Sequence, residues 1–415
     1  MRKKIRLEHT SNPLNYGTNM MVTNFMYYLD KYSELKNEYI LDVYNDEDLH
    51  NFNNQYKEGN IKRETIDYSL TYSNNIIEKA INKIKRKVAF NYFYTKKVKK
   101  LMKSTHNLVI LGGDDLSEYY GIDNLIREFS RIEKLKNKIG IYLVGQTIGP
   151  FTNERIEIAK TTLRDVPIYS RDPWTTNYLK GDLKLNKVFD SADLAFLPLP
   201  YQDNMKIKMG ILKRNNIDCE KYVTIVPSGL YESYCSDFNI YIENWIKIIE
   251  NLPKRMPKIK IVLLPHVLRY PMYDDRNIIH EIEKRLQGKN NNLIYIYDEI
   301  SPLEARFILG EGKFTITGRM HGAISTFQMR KPAISISYSV KYNGVIGEGL
   351  DLKELIVDGK DNEAWTKMDV EKQVSSKIDY VLENYESIIE KIEFKVNESE
   401  KKTMSMMQEI SKTLG

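Results

Sequence analysis

The chain has 415 residues, which is too long for one small core and suits two domains of ordinary size. Its formal net charge of +6 is too mild to indicate nucleic-acid binding by itself, and no zinc finger, helix-turn-helix or RNA-binding motif accompanies it. Its two cysteines, Cys219 and Cys235, follow neither a metal-ligand spacing nor a disulfide framework, which favours a reducing compartment. With no signal-peptide core and no apolar run of about 18 residues, we expect a cytoplasmic protein.

The first half alternates short apolar runs with longer amphipathic segments, which is typical of βα units around a parallel sheet. This pattern predicts five strands, at residues 4–9, 39–44, 107–113, 139–145 and 166–170. A long insertion at about 46–105 separates the second strand from the third. We therefore predict an N-terminal Rossmann-like domain over residues 1–200 that carries a helical insertion.

The second half shows the same alternation of short apolar runs with amphipathic segments, and with more regular spacing. It predicts strands at residues 222–227, 259–265, 292–297, 314–317 and 332–337. We predict a linker at 201–220, a C-terminal Rossmann-like domain at 221–370 and a charged helical tail at 371–415 that packs back across both domains. The predicted fold class is α/β, with two parallel sheets facing a common cleft. Ligands of such sheets bind beyond the carboxyl ends of the strands, so the polar residues that follow strands deserve most weight.

Two loops of the first domain are candidates for ligand contact. In "NPLNYGTNMM", Gly17 permits a tight turn and Thr18 or Asn19 is predicted to cap the next helix, whose first N–H groups favour an anion. In "LGGDDL", two glycines allow close approach to the backbone, and Asp114 and Asp115 offer carboxylates for sugar hydroxyls. A plain helix cap and a structural turn remain the alternatives.

Further polar residues follow other strands. Arg171 stands at the end of a buried strand in "YSRDPWTTNYL", where Asp172 can cap a helix that begins with proline. At this point an anion-binding arginine and a surface ion pair are both open. In the second domain, Ser228, Gly229 and His266 could contact a ligand or serve as polar loop residues.

The stretch "TITGRMHGAIS" gives the strongest signal. Arg319 and His321 lie between a predicted strand and a predicted helix, and the flanking glycines permit a sharp turn next to the positive helix start. Lys341 follows the next strand, in "SYSVKYNG". We expect these three residues to crowd one edge of the cleft without a compensating acid between them, which favours an anionic substrate.

These segments resemble a known family. The motifs "ILGGDDL", "GQTIGPF", "YSRDPWTTNYL", "DSADLAFLP" and "ITGRMHGAISTFQMRKPAISISYSVKYNGV" occur in the order and approximate spacing of polysaccharide pyruvyl transferases, over about residues 5–350. The resemblance implies a GT-B-like fold, as in B-type glycosyltransferases. It also implies transfer of a pyruvyl group from phosphoenolpyruvate to two hydroxyls of one sugar in a saccharide or lipid-linked glycan precursor, which gives a pyruvate ketal and phosphate.

The resemblance, together with the strand-end positions, assigns roles to three groups of residues. Catalytic roles fall on His321, Arg171 and Lys341, and donor binding on Arg319, Gly318, Gly322, Ser228 and His266. Acceptor binding falls on Asn15, Gly17, Thr18, Asn19, Gly112, Gly113, Asp114 and Asp115. Phosphoenolpyruvate is a co-substrate in this scheme, and we expect neither a cofactor nor a metal ion.

This chain departs from the family pattern at two positions. Thr18 stands where the family's Asn-x-Gly-Asp motif has its acid, and Asp114 replaces the last of three glycines that the third-strand loop often carries. Both positions are expected on the acceptor side of the cleft.

The segment 83–103 contains nine basic residues, no acidic residue and several aromatics. One interpretation is a helix that lies on an anionic membrane surface near a lipid-linked acceptor, because each Lys or Arg there contributes about 1 kcal/mol and aromatic side chains anchor at the interface. The other is a solvated helix of a Lys-rich protein. Peripheral contact with the inner face of the membrane is thus a hypothesis.

Two rival functions are also compatible with the pattern. A GT-B glycosyltransferase that uses a nucleotide sugar needs an acid in the second domain to hold the ribose, and Glu304 is the candidate. A saccharide-binding or scaffold protein with an inactive cleft predicts an incomplete Arg/His/Lys set, whereas this set is complete. Pyruvyl transfer is the interpretation that we prefer.

Overall fold

The computed structural model describes residues 3–34, 36–64, 98–219, 221–269, 273–287 and 292–414. Within these ranges the chain forms two parallel sheets, each flanked by helices. Most of the basic segment 83–103 lies outside the described residues, so the membrane hypothesis stays a prediction. Among the described helices, none combines the length and the apolar character needed to cross a bilayer.

The first sheet has seven parallel strands in the order β3-β2-β1-β4-β5-β6-β7. The strands are β1 (Lys4–Glu8), β2 (Glu38–Leu41), β3 (Ile61–Arg63), β4 (Asn107–Gly113), β5 (Gly140–Gln146), β6 (Ile168–Ser170) and β7 (Val188–Asp190). The helices are α1 (Tyr16–Tyr32), α2 (Asp46–Gln55), α3 (described over 98–104), α4 (Ile122–Leu135), α5 (Arg155–Leu163) and α6 (Pro173–Asn177). The strand order reverses between β1 and β4, which places a crevice beyond their carboxyl ends.

The second sheet has six parallel strands in the order β10-β9-β8-β11-β12-β13. The strands are β8 (Tyr222–Val226), β9 (Lys260–Leu263), β10 (Leu293–Tyr295), β11 (Thr315–Thr317), β12 (Ala333–Ser337) and β13 (Ile356–Asp358). The helices are α7 (Met205–Arg214), α8 (Phe238–Arg255), α9 (Asp275–Leu286), α10 (Pro302–Glu311), α11 (Met320–Gln328), α12 (Asn362–Thr366), α13 (Asp369–Glu383) and α14 (Tyr385–Leu414). Here the order reverses between β8 and β11.

All ten predicted strands are present, and three further strands were missed. The missed strands β3, β7 and β13 each have three residues and each lie at the edge of a sheet. The region predicted as a helical insertion thus contributes an edge strand, and the predicted linker contains α7, a ten-residue helix that packs against α10. The domain boundaries themselves stay predictions.

The C-terminal tail packs back as predicted. Helix α13 lies against α8 of the second domain, and α14 lies against α1 of the first and α11 of the second. Buried residues of both domains and of the tail belong to one continuous apolar cluster, while a second cluster covers the other face of the first sheet. Burial of apolar surface between the domains stabilises their arrangement at about 25 cal/mol per Å².

A buried arginine reinforces this joint. Arg306 on α10 donates to the carbonyl oxygens of Leu197 at 3.0 Å and Ala195 at 2.7 Å, in the segment that leaves the first domain. Burial lowers the pKa of Arg306 to about 9, so the group is still protonated at neutral pH. Its hydrogen bonds satisfy carbonyl oxygens that would otherwise be buried without a donor.

Candidate active site

A cavity of about 390 Å³ lies between the two sheets at the carboxyl ends of their strands. The first domain contributes the loops after β1, β4 and β6, and the second contributes the loops after β9, β11 and β12. The two halves are joined at the cavity wall: Asn12 Nδ2 donates to Leu268 O at 3.0 Å, and the Tyr16 N–H donates to His266 O at 3.1 Å. The position agrees with the rule for open α/β sheets.

The structure brings most of the predicted site residues together in this cavity. Its wall contains Asn15, Thr18, Gly112, Gly113, Asp114, Asp115, Arg171, His266, Arg319, His321 and Lys341. Five other predicted residues lie behind the wall of the described cavity: Gly17, Asn19, Ser228, Gly318 and Gly322. The roles of all of these residues stay predictions.

The centre of the site is a triad that joins the two domains. Arg171 follows β6, and its Nη1 lies 2.9 Å from Oδ2 of Asp193. His321 is the second residue of α11, and its Nε2 lies 3.2 Å from the same oxygen. One carboxylate of the first domain therefore orients both the guanidinium and the imidazole.

Asp193 is a functional candidate that sequence reasoning missed. Its side chain is fully buried, and its Oδ1 accepts a hydrogen bond from the Ala195 N–H at 2.9 Å. Burial acts to raise the pKa of Asp193, but His321 and Arg171 outweigh it and hold that pKa well below its usual value. The carboxylate is therefore ionised at neutral pH. The motif "DSADLAFLP" contained this residue, but its position before a short turn gave no sign of its partners.

Arg171 retains one unused donor. Its Nε donates to Thr147 Oγ1 at 2.9 Å, and Thr147 in turn donates to Asp172 Oδ2 at 2.8 Å. The remaining terminal nitrogen, Nη2, is buried and meets no acceptor among the described residues. Because an unpaired buried donor is costly, an oxygen of a bound ligand is its natural partner.

Arg319 is held differently. Its Nη2 and Nε donate to Asp275 Oδ1 at 2.6 and 3.1 Å, and Nη2 also reaches the Tyr273 carbonyl at 3.2 Å. Burial acts to lower the pKa of Arg319, but Asp275 raises it above its usual value. Asp275 also accepts the backbone N–H groups of Gly229, His266 and Val267. This ion pair therefore joins three loops of the second domain.

Lys341 reaches across the cleft to the first domain. Its Nζ lies 2.7 Å from Tyr338 Oη and 3.4 Å from Asp114 Oδ2, and it stands 4.7 Å from the centre of the Tyr338 ring. This separation from Asp114 is longer than the Arg171–Asp193 separation of 2.9 Å and the Arg319–Asp275 separation of 2.6 Å. Lys341 thus has the geometry of a cation that can exchange a carboxylate for a ligand oxygen.

The prediction that these cations lack a compensating acid is wrong. Asp193, Asp275 and Asp114 face His321, Arg319 and Lys341. The partners are 128, 44 and 227 residues apart in sequence. No local pattern could have paired residues so far apart.

His266 has an unsatisfied ring nitrogen. The side chain is 1% exposed, packs edge-on against Tyr16, and its Nε2 is buried without a partner among the described residues. Burial lowers the pKa of His266 well below its usual value, and the nearby cations His321, Arg319 and Arg306 lower it further. The imidazole is therefore neutral at neutral pH.

The loop before α1 differs in detail from the prediction. The N-cap of α1 is Asn15, whose Oδ1 accepts the Thr18 N–H, and neither Thr18 nor Asn19 takes that position. Asn19 is buried, donates to Pro13 O and accepts from Thr23 Oγ1, so its side chain is used inside the domain. Gly17 lies against His321, because a Cβ there would overlap the imidazole ring.

The predicted donor residues behind the wall have structural contacts. Ser228 Oγ accepts the Leu230 N–H at 3.2 Å, and the Gly318 carbonyl accepts Tyr342 Oη at 2.6 Å. A Cβ on Gly322 would lie 2.8 Å from Thr317 Oγ1. These residues shape the turn that presents His321. Glu304, the ribose candidate of the rival interpretation, lies outside the cavity wall and caps α10 with Ser301.

His9 is a second residue that sequence reasoning missed. It follows β1, lines the cavity, and its Nδ1 lies 3.5 Å from Asp115 Oδ2.

Within the described ranges, no group of three His, Cys, Asp or Glu side chains is arranged to hold a metal ion.

Comparison with known proteins gives a curated relative, similar solved structures and a matching family model. A curated relative, the amylovoran biosynthesis protein AmsJ of Erwinia amylovora, is 25% identical over 300 residues, which cover 70% of this chain and 69% of AmsJ. The UDP co-structure of S. aureus MnaA superposes with a TM-score of 0.57 at 11% identity, covering 94% of this chain and 91% of MnaA. UDP-GlcNAc 2-epimerase from Neisseria meningitidis, bound to UDP-GlcNAc, gives a TM-score of 0.56 at 11% identity. The superposition covers 100% of this chain and 99% of the epimerase chain.

The two structural likenesses confirm the GT-B-like arrangement and, at such low identity, show the fold alone. The sequence model of one family, described as polysaccharide pyruvyl transferase, matches residues 49–340. That span contains Arg171, Asp193, Arg319 and His321, and Lys341 follows it directly. Because the match covers more than half of the sequence, this chain belongs to the polysaccharide pyruvyl transferase family.

Proposed function

We propose that this pyruvyltransferase takes its pyruvyl group from phosphoenolpyruvate and joins it as a ketal to two hydroxyls of one sugar in a saccharide or lipid-linked glycan precursor. The observation that carries the proposal is the buried, unpaired Nη2 of Arg171, beside the Asp193–His321 pair. A buried arginine whose Nη2 has no acceptor within the described part of the chain is suited to bind an anionic oxygen.

Phosphoenolpyruvate supplies such oxygens at both ends, as a carboxylate and a phosphate. Arg171 offers Nη2 from the first domain, and Lys341 offers Nζ from the second, once Lys341 releases the distant carboxylate of Asp114. Each charged hydrogen bond contributes about 1.5–3 kcal/mol net. Two cations from opposite walls would hold the donor across the cleft.

His321 is the proton donor of the scheme. Protonation of the methylene carbon makes the neighbouring carbon electron-poor, so that a sugar hydroxyl attacks it. Asp193 stabilises the imidazolium form, because its Oδ2 lies 3.2 Å from Nε2. General acid catalysis of this kind contributes roughly 10²- to 10⁴-fold. Departure of phosphate then lets the second hydroxyl close the ketal, and the scheme requires no cofactor and no metal ion.

The acceptor is assigned to the first-domain side of the cavity. Gly112 and Gly113, the last two residues of β4, have positive φ values of 38° and 104°, so the chain turns at the end of the strand and presents the carboxylates that follow it. Asp114 and Asp115 both line the cavity, and carboxylates accept hydrogen bonds from sugar hydroxyls. Thr18 lies in the same wall.

The test is to incubate the enzyme with phosphoenolpyruvate labelled with ¹³C at the methylene carbon and a panel of methyl glycosides. The panel contains the methyl β-glycosides of galactose, glucose and N-acetylmannosamine. We expect phosphate and a ¹³C-labelled ketal methyl group to appear in equal amounts. In His321→Asn both products should form roughly 10²- to 10⁴-fold more slowly.

A matched control is His280→Asn, since His280 is exposed on α9 outside the cavity wall. It should retain the wild-type rate. If the wild-type enzyme leaves phosphoenolpyruvate unchanged but transfers sugar from a nucleotide sugar to these glycosides, the fold stands and the proposed reaction does not.

A further inference from the structure

The ketal reaction needs a base as well as an acid, and His9 is placed on the acceptor side of the cavity. It follows β1 directly, and its side chain is 32% exposed. Its φ of 66° lies in the left-handed region, which non-glycine residues seldom adopt. Such a conformation costs free energy and persists where surrounding contacts impose it.

The contacts of His9 determine its tautomer. Nδ1 lies 3.0 Å from the carbonyl oxygen of Leu111 and 3.2 Å from that of Gly112, and 3.5 Å from Asp115 Oδ2. All three partners are acceptors, so Nδ1 must carry the hydrogen. In the neutral imidazole the other nitrogen, Nε2, then has a free lone pair.

We propose that Nε2 of His9 is the general base that takes the proton of the first acceptor hydroxyl, with Asp115 as the residue that positions it. This inference rests on the proposed function. In the addition step, the C2=C3 π pair of phosphoenolpyruvate takes a proton from His321 at C3. The hydroxyl oxygen forms a bond to C2, and its proton moves to Nε2 of His9.

The second step returns both histidines to their starting states. The C2–O bond to phosphate breaks, its electron pair leaves with the phosphate, and the phosphate takes the proton from His9. The second hydroxyl oxygen bonds to C2, and its proton goes to His321. One phosphoenolpyruvate and two hydroxyls thus give one ketal and one phosphate, without another reactant.

The charged groups around His9 set the direction of its pH dependence. Asp115 and Asp114 belong to the loop after β4, Lys341 faces them across the cleft, and Glu8 and Glu128 pair with Arg131. Burial acts to lower the pKa of His9, but the carboxylates of Asp115 and Glu8 outweigh it and raise the pKa above its usual value. A base with a raised pKa loses activity as the pH falls through that value.

The first test needs no acceptor. The chain has six histidines, so ¹⁵N-histidine labelling with single His→Asn substitutions assigns each ring by NMR. We expect His9 to be the Nδ1–H tautomer at high pH, and its pKa to fall in Asp115→Asn. An Nε2–H tautomer, or a His9 titration unchanged by Asp115→Asn, overturns the proposal.

The second test uses His9→Asn, because asparagine tolerates the left-handed backbone and its Nδ2 can replace Nδ1 as the donor to the carbonyls. We expect kcat for phosphate release with the best glycoside to fall roughly 10²- to 10⁴-fold, with unchanged phosphoenolpyruvate binding. The acidic limb of kcat/KM should disappear, and in Asp115→Asn it should move to lower pH.

The outcomes separate this inference from the proposed function. If the wild-type enzyme forms the ketal and His9→Asn keeps the wild-type rate and pH profile, His9 is not the base, and the proposed function still stands. Wild-type enzyme that neither binds phosphoenolpyruvate nor releases phosphate contradicts the proposed function, whatever the tautomer of His9. His280→Asn serves again as the control for loss of a histidine.

Discussion

Two arginines of the cavity, Arg171 and Arg319, look equivalent until their partners are compared. Both follow three-residue strands, both are at least nine-tenths buried, and both face a fully buried aspartate. Arg319 directs Nε and Nη2 to Asp275, whereas Arg171 divides its donors between Thr147 and Asp193 and leaves Nη2 unpaired.

The aspartates explain the difference. Asp275 accepts three backbone N–H groups besides Arg319, so that pair fastens loops of its own domain. Asp193 accepts one backbone N–H and shares its other oxygen between Arg171 and His321, which belong to different domains. The first pair stabilises the second domain, and the second assembles a site. The remaining hydrogen bonds of each aspartate therefore distinguish a pair that fastens loops of one domain from a pair that reaches both domains.

The largest effect should come from breaking the structural pair. In Asp275→Ala, the guanidinium of Arg319 loses its carboxylate and three backbone donors lose their acceptor. We expect the free energy of unfolding to fall by about 3–5 kcal/mol, as for other buried pairs with one partner removed. Denaturant unfolding measures this change.

The control for that change is Asp379→Ala, which removes the half-exposed partner of Arg255. An exposed pair contributes only about 0–1 kcal/mol. Equal losses in the two variants would show that Asp275 does not fasten the loops.

The next largest effect is expected from a substitution at Gly17, which lies against the imidazole ring of His321. Gly17→Ala introduces a Cβ that overlaps the imidazole ring of His321, so the ring must shift and its contact with Asp193 is disturbed. We expect a loss of about 1–3 kcal/mol in unfolding free energy, the usual result of overpacking, together with a lower kcat. Gly210→Ala is the matched control, because a Cβ on that helical glycine meets open space. Wild-type kcat in Gly17→Ala would contradict the placement of His321.

A smaller effect is expected from pH, through His266 beside the Arg319 pair. The pKa of His266 in the folded state is well below 6.5, so the unfolded chain takes up a proton below pH 6.5 while the folded chain does not. Stability from this group is therefore present above pH 6.5 and is lost as the pH falls, by at most about 1.4 kcal/mol per pH unit.

The unfolding free energy of wild type and His266→Gln, measured between pH 7.5 and 5.5, tests this expectation. The slope should be shallower in the variant. His9 acts in the opposite direction, since its raised pKa gives stability that is lost as the pH rises through that value. Parallel slopes for wild type and His266→Gln would refute the neutral, buried His266.

The fold could largely be predicted because long buried strands carry an apolar pattern that survives without context. The strands that escaped prediction, β3, β7 and β13, have three residues each and lie at sheet edges. Each of them ends in an exposed polar residue, whereas the equally short strands β6 and β11 are buried throughout and therefore carry the apolar signal. The neighbouring strand, rather than local sequence, places them in the sheet.

The site was predictable only in part, for a different physical reason. Position after a strand marked Arg171, His321 and Lys341, because parallel strands bring their carboxyl ends to one edge. Asp193 and His9 were missed, since their importance comes from partners that only the tertiary fold supplies. His9 in particular was counted inside the predicted strand 4–9, whereas β1 ends at Glu8 and His9 is the first residue after it.

Titration of phosphoenolpyruvate into Arg171→Lys and Arg319→Lys tests the central claim most directly. Each variant keeps a positive charge and loses the arginine fork, so the pair differs only in which arginine is altered. Loss of one charged hydrogen bond, about 1.5–3 kcal/mol, predicts roughly 10- to 150-fold weaker binding in Arg171→Lys. Arg319→Lys should lose stability and keep most of its affinity. Equal loss of affinity in both variants, or wild-type binding of a nucleotide sugar in place of phosphoenolpyruvate, would contradict the account.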